Sequence, residues 1–305
     1  MTENSTMIDV RPWTGEDGPA LAGLWQAWAP AQGYGALAGG LWEQPGFDPG
    51  LTFLSEARGK VRGAVLGCRR GRAGYLACLP APEEDWDPLL TRLEGELERQ
   101  GAESCEVSFR CPMALPWVMP GTGGALHNNR PGAPEGSRLS AFLKGRGYAV
   151  RTVDQAMYLD LREAELPEIP PPAGYRVVLY QKAAHPGMEE LLEELGSEVW
   201  KQQIPAFAAE YPMLAVLEGD RVAGFAGPVY PEPSGRGFFA GIGVSARCRG
   251  LGLGKCLFFR LCREEKARGA KYMSLFTGTD NPAGKLYGQA GFRTAARFET
   301  LKKRF

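Results

Sequence analysis

Arg249-Gly250-Leu251-Gly252-Leu253-Gly254-Lys255 is the stretch that decides how this 305-residue chain is read. Before it, Phe238 to Val244 is a run of small and apolar residues with the composition of a buried strand. After it, Lys255 to Arg268 carries Leu257, Phe258, Leu261 and Cys262 at helical spacing. Glycines at a strand-to-helix turn let successive backbone N–H groups converge on one anion, and the helix N-terminus adds roughly half a positive charge there. Gly252 and Gly254 place no Cβ between that backbone and a pyrophosphate. Spacing excludes two other phosphate motifs. A dinucleotide fingerprint needs G-x-G-x-x-G with an acid about 20 residues on, whereas these glycines alternate. A P-loop ends in G-K-[ST], and here Lys255 is followed by Cys256.

R-x-x-G-x-G after a strand resembles the pyrophosphate-arm signature of the GNAT superfamily of N-acetyltransferases. The resemblance extends along Ile242 to Phe258 (IGVSARCRGLGLGKCLF), which looks like that family's fourth strand, turn and third helix. It continues in Thr279 to Phe292 (TDNPAGKLYGQAGF), where an asparagine precedes Leu-Tyr and a Gly-Phe pair stands four residues beyond the tyrosine. One spacing departs from the family. Its asparagine commonly lies seven residues before the tyrosine, a position held here by Asp280; Asn281 lies six before Tyr287 and is taken as the residue that faces the cofactor.

The resemblance implies acetyl-CoA as cosubstrate and no metal. The pyrophosphate is expected on the backbone of Gly250, Leu251, Gly252, Leu253, Gly254 and Lys255, with Arg249 adding a charge-assisted contact. The pantetheine arm is expected to pair like an extra strand with the edge at Ile242, Gly243 and Val244, since a strand edge offers unpaired amides. Gly241 and Gly243 suit a close backbone approach there. An N–H near Val244 would steady the oxyanion as the amine attacks, and Tyr287 would protonate the departing thiolate. No carboxylate stands on the fourth strand to act as base. Glu210, Glu232 and His185 are the alternatives, and Cys248 and Cys256 lack a neighbouring histidine that would make either a nucleophile.

The chain also repeats itself. Leu166 to Gly174 (LPEIPPPAG) carries four prolines and reads as a stiff connector, dividing residues 1–165 from 174–305 with 166–173 as linker. Each half opens with a strand and an amphipathic helix running to a tryptophan, Trp28 or Trp200. A hairpin follows in which Lys60-Val61-Arg62-Gly63-Ala64 matches Arg221-Val222-Ala223-Gly224-Phe225. Each half then has a glycine-closed helix, a strand, a short helix, a Gly-aromatic pair (Gly147-Tyr148; Gly291-Phe292) and a last strand. The order implies an α/β (mixed α+β) fold built of two tandem GNAT folds, each a mixed, mostly antiparallel sheet flanked by helices.

The first half has lost the machinery. Aligning Gly147 with Gly291 sets Leu143 against Tyr287 and Ser137 against Asn281, and Glu83, Glu84, Asp85 and Asp87 stand where phosphates would go. From Gly101 to Gly147 is 46 residues against 22 from Gly269 to Gly291, so about 24 are inserted, within 112–135. A Pro- and Gly-rich loop of this length is expected to wall an acceptor pocket, with His127, Asn128 and Asn129 at a solvated tip.

Lys and Arg balance Asp and Glu at 35 each, interleaved, which gives no reason to expect a nucleic-acid partner. There is no apolar run near 18 residues and no signal-like N-terminus, and seven cysteines without a CxxC pair suit reduced thiols in the cytoplasm. The expectation is therefore a cytoplasmic acetyl-CoA-dependent N-acetyltransferase, compatible with a monomer, acting on a primary amine of a small molecule such as an antibiotic or other natural product. A peptide or protein N-terminal acetyltransferase and a non-catalytic acyl-CoA-binding regulator are the alternatives.

Overall fold

The helix expected to end at Trp28 forms as α1 (Gly18–Trp28), after β1 (Asp9–Pro12). The structure, a computed structural model, describes residues 8–305. β2 (Thr52–Ala57), β3 (Lys60–Arg70) and β4 (Ala73–Cys78) follow as an antiparallel meander behind β1. α2 (Glu83–Arg99) then crosses over, so β5 (Ser104–Val107) pairs in parallel with β4. The inserted segment holds three two-residue strands, β6 (Trp117–Val118), β7 (Leu126–His127) and β8 (Ala133–Pro134). α3 (Arg138–Gly145) and β9 (Ala149–Asp160) end this half.

The second half repeats the order. β10 (Tyr175–Leu179) leads into α4 (Met188–Leu195) and α5 (Glu198–Glu210). The single helix expected up to Trp200 is two: Gly196 takes φ +69, which closes α4, and Ser197 Oγ accepts the Trp200 amide at 3.3 Å to start α5. β11 (Leu214–Glu218) and β12 (Arg221–Gly227) form the hairpin. β13 (Tyr230–Pro231), β14 (Arg236–Phe238), β15 (Gly241–Val244), α6 (Leu253–Ala267), β16 (Tyr272–Gly278), α7 (Ala283–Gln289) and β17 (Arg293–Arg304) complete the chain.

Contacts group residues up to Gln155 with Ala296–Phe305 in one unit, and Ala156–Ala295 in the other. This division differs from one at 166–173, and the long closing strands are the reason. β17 runs into the first unit, where Leu301–Arg304 pair antiparallel with Val107–Ser104 of β5. Lys144 Nζ holds Glu299 at 2.7 Å and Lys303 Nζ holds Glu94 at 2.8 Å. The latter part of β9 belongs to the second unit, beside β16. The proline connector has no regular element, as its composition predicts, but it is packed rather than free. Leu166 and Ile169 join the second core, and Pro170 O accepts the Cys256 thiol at 3.5 Å.

Each unit has its own core. In the first, α2 lays Leu89, Leu90, Leu93 and Leu97, all fully buried, over the sheet. In the second, Leu257, Phe258, Leu261 and Cys262 of α6 are fully buried against Leu214, Val216 and Met273, on the face their spacing predicts. Each such Leu or Phe contributes about 1.5–3 kcal/mol through burial, which fixes α6 and the loop that opens it. Among the described residues no helix is long and apolar enough to cross a membrane.

Candidate active site in the second unit

The stretch that reads in sequence as one strand, Phe238 to Val244, is a fork. β14 pairs in parallel with β16 through Arg236↔Tyr272 and Gly237↔Met273. After Phe239 and Ala240 the chain changes sheets, and β15 pairs antiparallel with β12. β15 and β16 therefore part. β15 becomes the last strand of the sheet β10-β11-β12-β15, with one edge left open among the described residues.

Register decides which amides face that edge. The Ser245 N–H bonds to Ala223 O at 2.9 Å, so Gly243 and Gly241, two and four residues back, also turn their backbone groups toward β12. Ile242 and Val244 turn theirs outward. Arg249 Nε donates to Val244 O at 3.3 Å, tying the glycine loop to the same edge.

Gly241 and Gly243 serve a different purpose from the one expected of them. A Cβ on Gly241 would lie 2.7 Å from the Trp200 ring, and one on Gly243 would lie 2.4 Å from Leu195 Cδ1. They admit the side chains of α4 and α5 rather than a ligand. Trp200 Nε1 also donates to Ala240 O at 3.3 Å, pinning α5 to the fork.

Beyond β15 the loop turns at two glycines with positive φ, +81 at Gly250 and +79 at Gly252. Gly252 caps α6, its carbonyl accepting Lys255 and Cys256 amides at 3.0 and 3.1 Å. The amides of Leu253 and Gly254, in the first turn, have no intrahelical acceptor. Leu251 is exposed, Leu253 is buried in the core, and Lys255 folds its ammonium over the Phe259 ring, 5.6 Å from its centroid. A Cβ at Gly250 or Gly252 would meet no atom within 4 Å, so the space beside both is open.

Tyr287, on α7, is 6 % exposed. Its ring packs against Phe258 at 4.9 Å and edge-on to Phe239 of the fork at 6.2 Å. Its hydroxyl has no partner among the described residues, yet it is not one of the fully enclosed polar atoms, as Ser274 Oγ and Thr277 Oγ1 are. Burial pushes the phenol up to about 12, so it stays protonated through the neutral range. Asn281 is exposed, and its Oδ1 accepts the Ala283 amide at 3.0 Å, a turn that starts α7. Only its NH₂ group remains to offer a ligand.

None of the three candidate bases stands as an unengaged group at β15. Glu232 is gripped by Arg236 through two bonds of 2.8 and 2.9 Å, His185 Nδ1 accepts the Gln181 amide at 3.0 Å, and Glu210 is exposed at the end of α5. Cys248 and Cys256 are buried, and burial pushes the Cys256 thiol up, the opposite of an activated nucleophile.

One residue near the site was illegible in the sequence. Glu194, on α4, accepts the Ser245 hydroxyl at 2.9 Å and the Ala246 amide at 2.5 Å, fixing the exit of β15 toward the loop. Those donors hold its carboxyl below the usual range. It is one of four glutamates in MEELLEEL, and spacing alone does not single it out.

The first unit has neither the glycine turn nor a counterpart of Tyr287. Its equivalent helix, α2, opens on acids that bind the protein's own cations. Glu83 pairs with Arg138 at 2.9 Å, and Asp85, fully buried, accepts Ser55 Oγ at 2.6 Å with Arg62 at 3.2 Å. Where β4 and β5 part, Met113 and Leu115 of the insert are buried and leave a space of only about 30 Å³.

A forked sheet, an open strand edge and a glycine turn capping the following helix define the class of GNAT-type acyltransferases. Residues 178–292 match the Acetyltransferase (GNAT) family, and this segment of the chain belongs to it. Over the whole chain the fold is that of tandem GNAT proteins. A GCN5-related N-acetyltransferase from Sphaerobacter thermophilus superposes with TM-score 0.65 at 19% identity, covering 97% of this chain and 95% of that one. A tandem GNAT protein from the clavulanic acid biosynthesis pathway superposes with TM-score 0.58 at 14% identity, covering 98% of both chains. A glucosamine N-acetyltransferase region of a fungal multi-domain GH3 β-N-acetylglucosaminidase gives 0.66 at 12%, covering 98% of this chain and 38% of that one. No curated protein sequence matches significantly. No cluster of three or more His, Cys, Asp or Glu placed to hold a metal ion occurs among the described residues.

Proposed function

We propose that the chain is an acetyl-CoA-dependent N-acetyltransferase whose second unit transfers acetyl directly to a primary amine of a small molecule in the cytoplasm. The observation that carries this reading is the open edge of β15, whose outward amides at Ile242 and Val244 lead straight into the Gly250–Gly254 turn. An extended amide-bearing arm ending in a pyrophosphate matches that sequence of donors. The arm pairs with the edge and the pyrophosphate lies on the first-turn amides of α6 beside Arg249. The carbonyl to be attacked then lies at the fork, where the Val244 N–H stabilises the oxyanion.

Tyr287 stands across the fork as donor to the leaving sulfur. With the phenol near 12 and a thiol near 8.5, complete proton transfer would be uphill by roughly 5 kcal/mol. Its contribution is therefore a hydrogen bond to the developing thiolate, with the proton finally supplied by solvent. With no unengaged carboxylate at the edge, the amine loses its proton to water, directly or through a relay. The acceptor is read as a small amine, with a peptide or protein N-terminus as the alternative that the test separates. Release of free thiol from acetyl-CoA, measured across a panel of small amines and peptides, tests the reading. Hydrolysis-level release with every amine would instead leave an acyl-CoA-binding regulator.

A further inference from the structure

One cavity is lined entirely by residues of the first unit. It measures about 690 Å³, within the range of small-molecule sites. Its walls are the loop after α1, the inserted segment and the start of the β17 portion that belongs to this unit. Trp117, Met119 and Phe298 pack behind its wall, almost fully buried, with Trp117 edge-on to Phe298 at 5.1 Å.

Its lining carries donors that the protein leaves unused. Tyr34 is 8 % exposed and Trp117 2 %, yet neither the Tyr34 hydroxyl nor the Trp117 indole N–H has a partner among the described residues. Neither atom is among those fully enclosed by protein, so both open onto space, and both residues line this cavity. Arg130 lies over the Tyr34 ring, 5.1 Å from its centroid, and forms no ion pair among the described residues. Arg297 adds a second cation, held only by an exposed Glu135 at 4.0 Å. Among the described residues no Asp or Glu lines the cavity.

Two unpartnered donors on buried aromatic residues, beside an unpaired guanidinium, make an unfavourable arrangement unless something accepts from them. Water would satisfy the donors but would leave the arginine without a counter-charge. A planar carboxylate matches an arginine fork and accepts from the hydroxyl and the indole, while a flat apolar body lies against the lining of Pro30, Val118, Pro120 and Pro134. We propose that this cavity is a second ligand site, for a small organic molecule with a flat apolar body and one carboxylate. The inserted loop, which the second half lacks, exists to form it.

The proposed ligand carries no acetyl donor, so its test needs no turnover. Calorimetry on the full chain with 2-naphthoate, and with uncharged 2-naphthylmethanol as shape control, reads it directly. Saturable one-site binding of the carboxylate is expected, at least about tenfold tighter than the alcohol. Arg130→Gln should remove that difference and leave the alcohol unchanged. Tyr34→Phe deletes only an unpartnered hydroxyl, so it should fold like the parent and weaken the carboxylate about threefold or more. No saturable binding of 2-naphthoate to the parent, or equal affinity in parent and Tyr34→Phe, overturns the proposal.

Discussion

The ring of Tyr287 rests on that of Phe258 with centroids 4.9 Å apart, while its hydroxyl has no partner among the described residues. The side chain thus plays two separable parts, one in packing and one at the fork. Tyr287→Phe removes only the second. Stability should change by less than about 0.5 kcal/mol, since no hydrogen bond is lost. Acetyl-CoA affinity should hold, and kcat should fall roughly 10²-fold or more, as for a group donating in the transition state. Steady-state kinetics beside a urea titration checks this, and a loss below about threefold would assign the residue to packing alone.

The same tyrosine sets a pH expectation. Burial raises the phenol to about 12, so its proton is present throughout the neutral range and is lost only as pH rises through that value. The kcat profile should therefore rise with amine deprotonation and show no falling limb between about pH 8 and 10. A limb in that interval that persists in Tyr287→Phe would mean that some other titrating group takes part in the transfer.

Two glycines of one motif should behave oppositely. Gly252 has φ +79, which a β-branched residue adopts only under strain, although a Cβ there would touch nothing. Gly252→Val should lose about 1–2 kcal/mol of stability and weaken acetyl-CoA at least tenfold. Gly254 is helical, and the one atom near its added Cβ is Val244 Cγ2 at 4.0 Å. Gly254→Ala should gain a few tenths to about 1 kcal/mol. Thermal unfolding and calorimetry of the pair separate backbone strain from ligand contact.

Each chain should bind one acetyl-CoA. α2 begins with Glu83 and Asp85 already bound to Arg138 and Arg62, and Met113 and Leu115 fill the notch beside β4. An incoming pyrophosphate would meet like charge without a converging amide turn to offset it. Titration calorimetry should give a stoichiometry near one. A second equivalent of similar affinity would refute the claim that the first unit has lost this function.

Glu265, fully buried on α6, gives a stability signature. Its Oε1 accepts the Tyr230 amide at 2.8 Å, its Oε2 has no partner, and burial pushes the carboxyl up to about 8. A raised pKa means the folded state holds a proton that the unfolded state releases near 4.5. The associated stability is complete below about pH 4.5 and declines by roughly 1.4 kcal/mol per unit up to about pH 8. Glu265→Gln should flatten that decline, so unfolding midpoints of parent and variant should diverge as pH rises from 5 to 8. Parallel curves would mean the carboxyl is solvated.

Legibility followed the range of the interactions. The Gly250–Gly254 turn, the amphipathic face of α6 and the helix carrying Tyr287 are set by residues within about ten positions of one another, and all three could be read. Local signals also gave the duplicated order of elements, since glycine caps and alternating strands recur in both halves. The break at Gly196 is a near miss, because its local cue lay inside a run that was otherwise uniformly helical.

What sequence alone determined was therefore the class: the glycine turn before α6, the repeated α/β order and the absence of that turn from the first half. Tertiary structure decided everything that depends on which strand lies beside which. It split Phe238 to Val244 into β14 and β15, gave Gly241 and Gly243 to Trp200 and Leu195, and carried β17 from the second half into the sheet of the first. It also brought Glu194 to Ser245, 51 residues away, and Arg130 to Tyr34, 96 positions back along the chain. Such pairs form because burial rewards any apolar face that finds a partner, whatever the separation along the chain, and periodicity reports only that a face exists, not what will cover it.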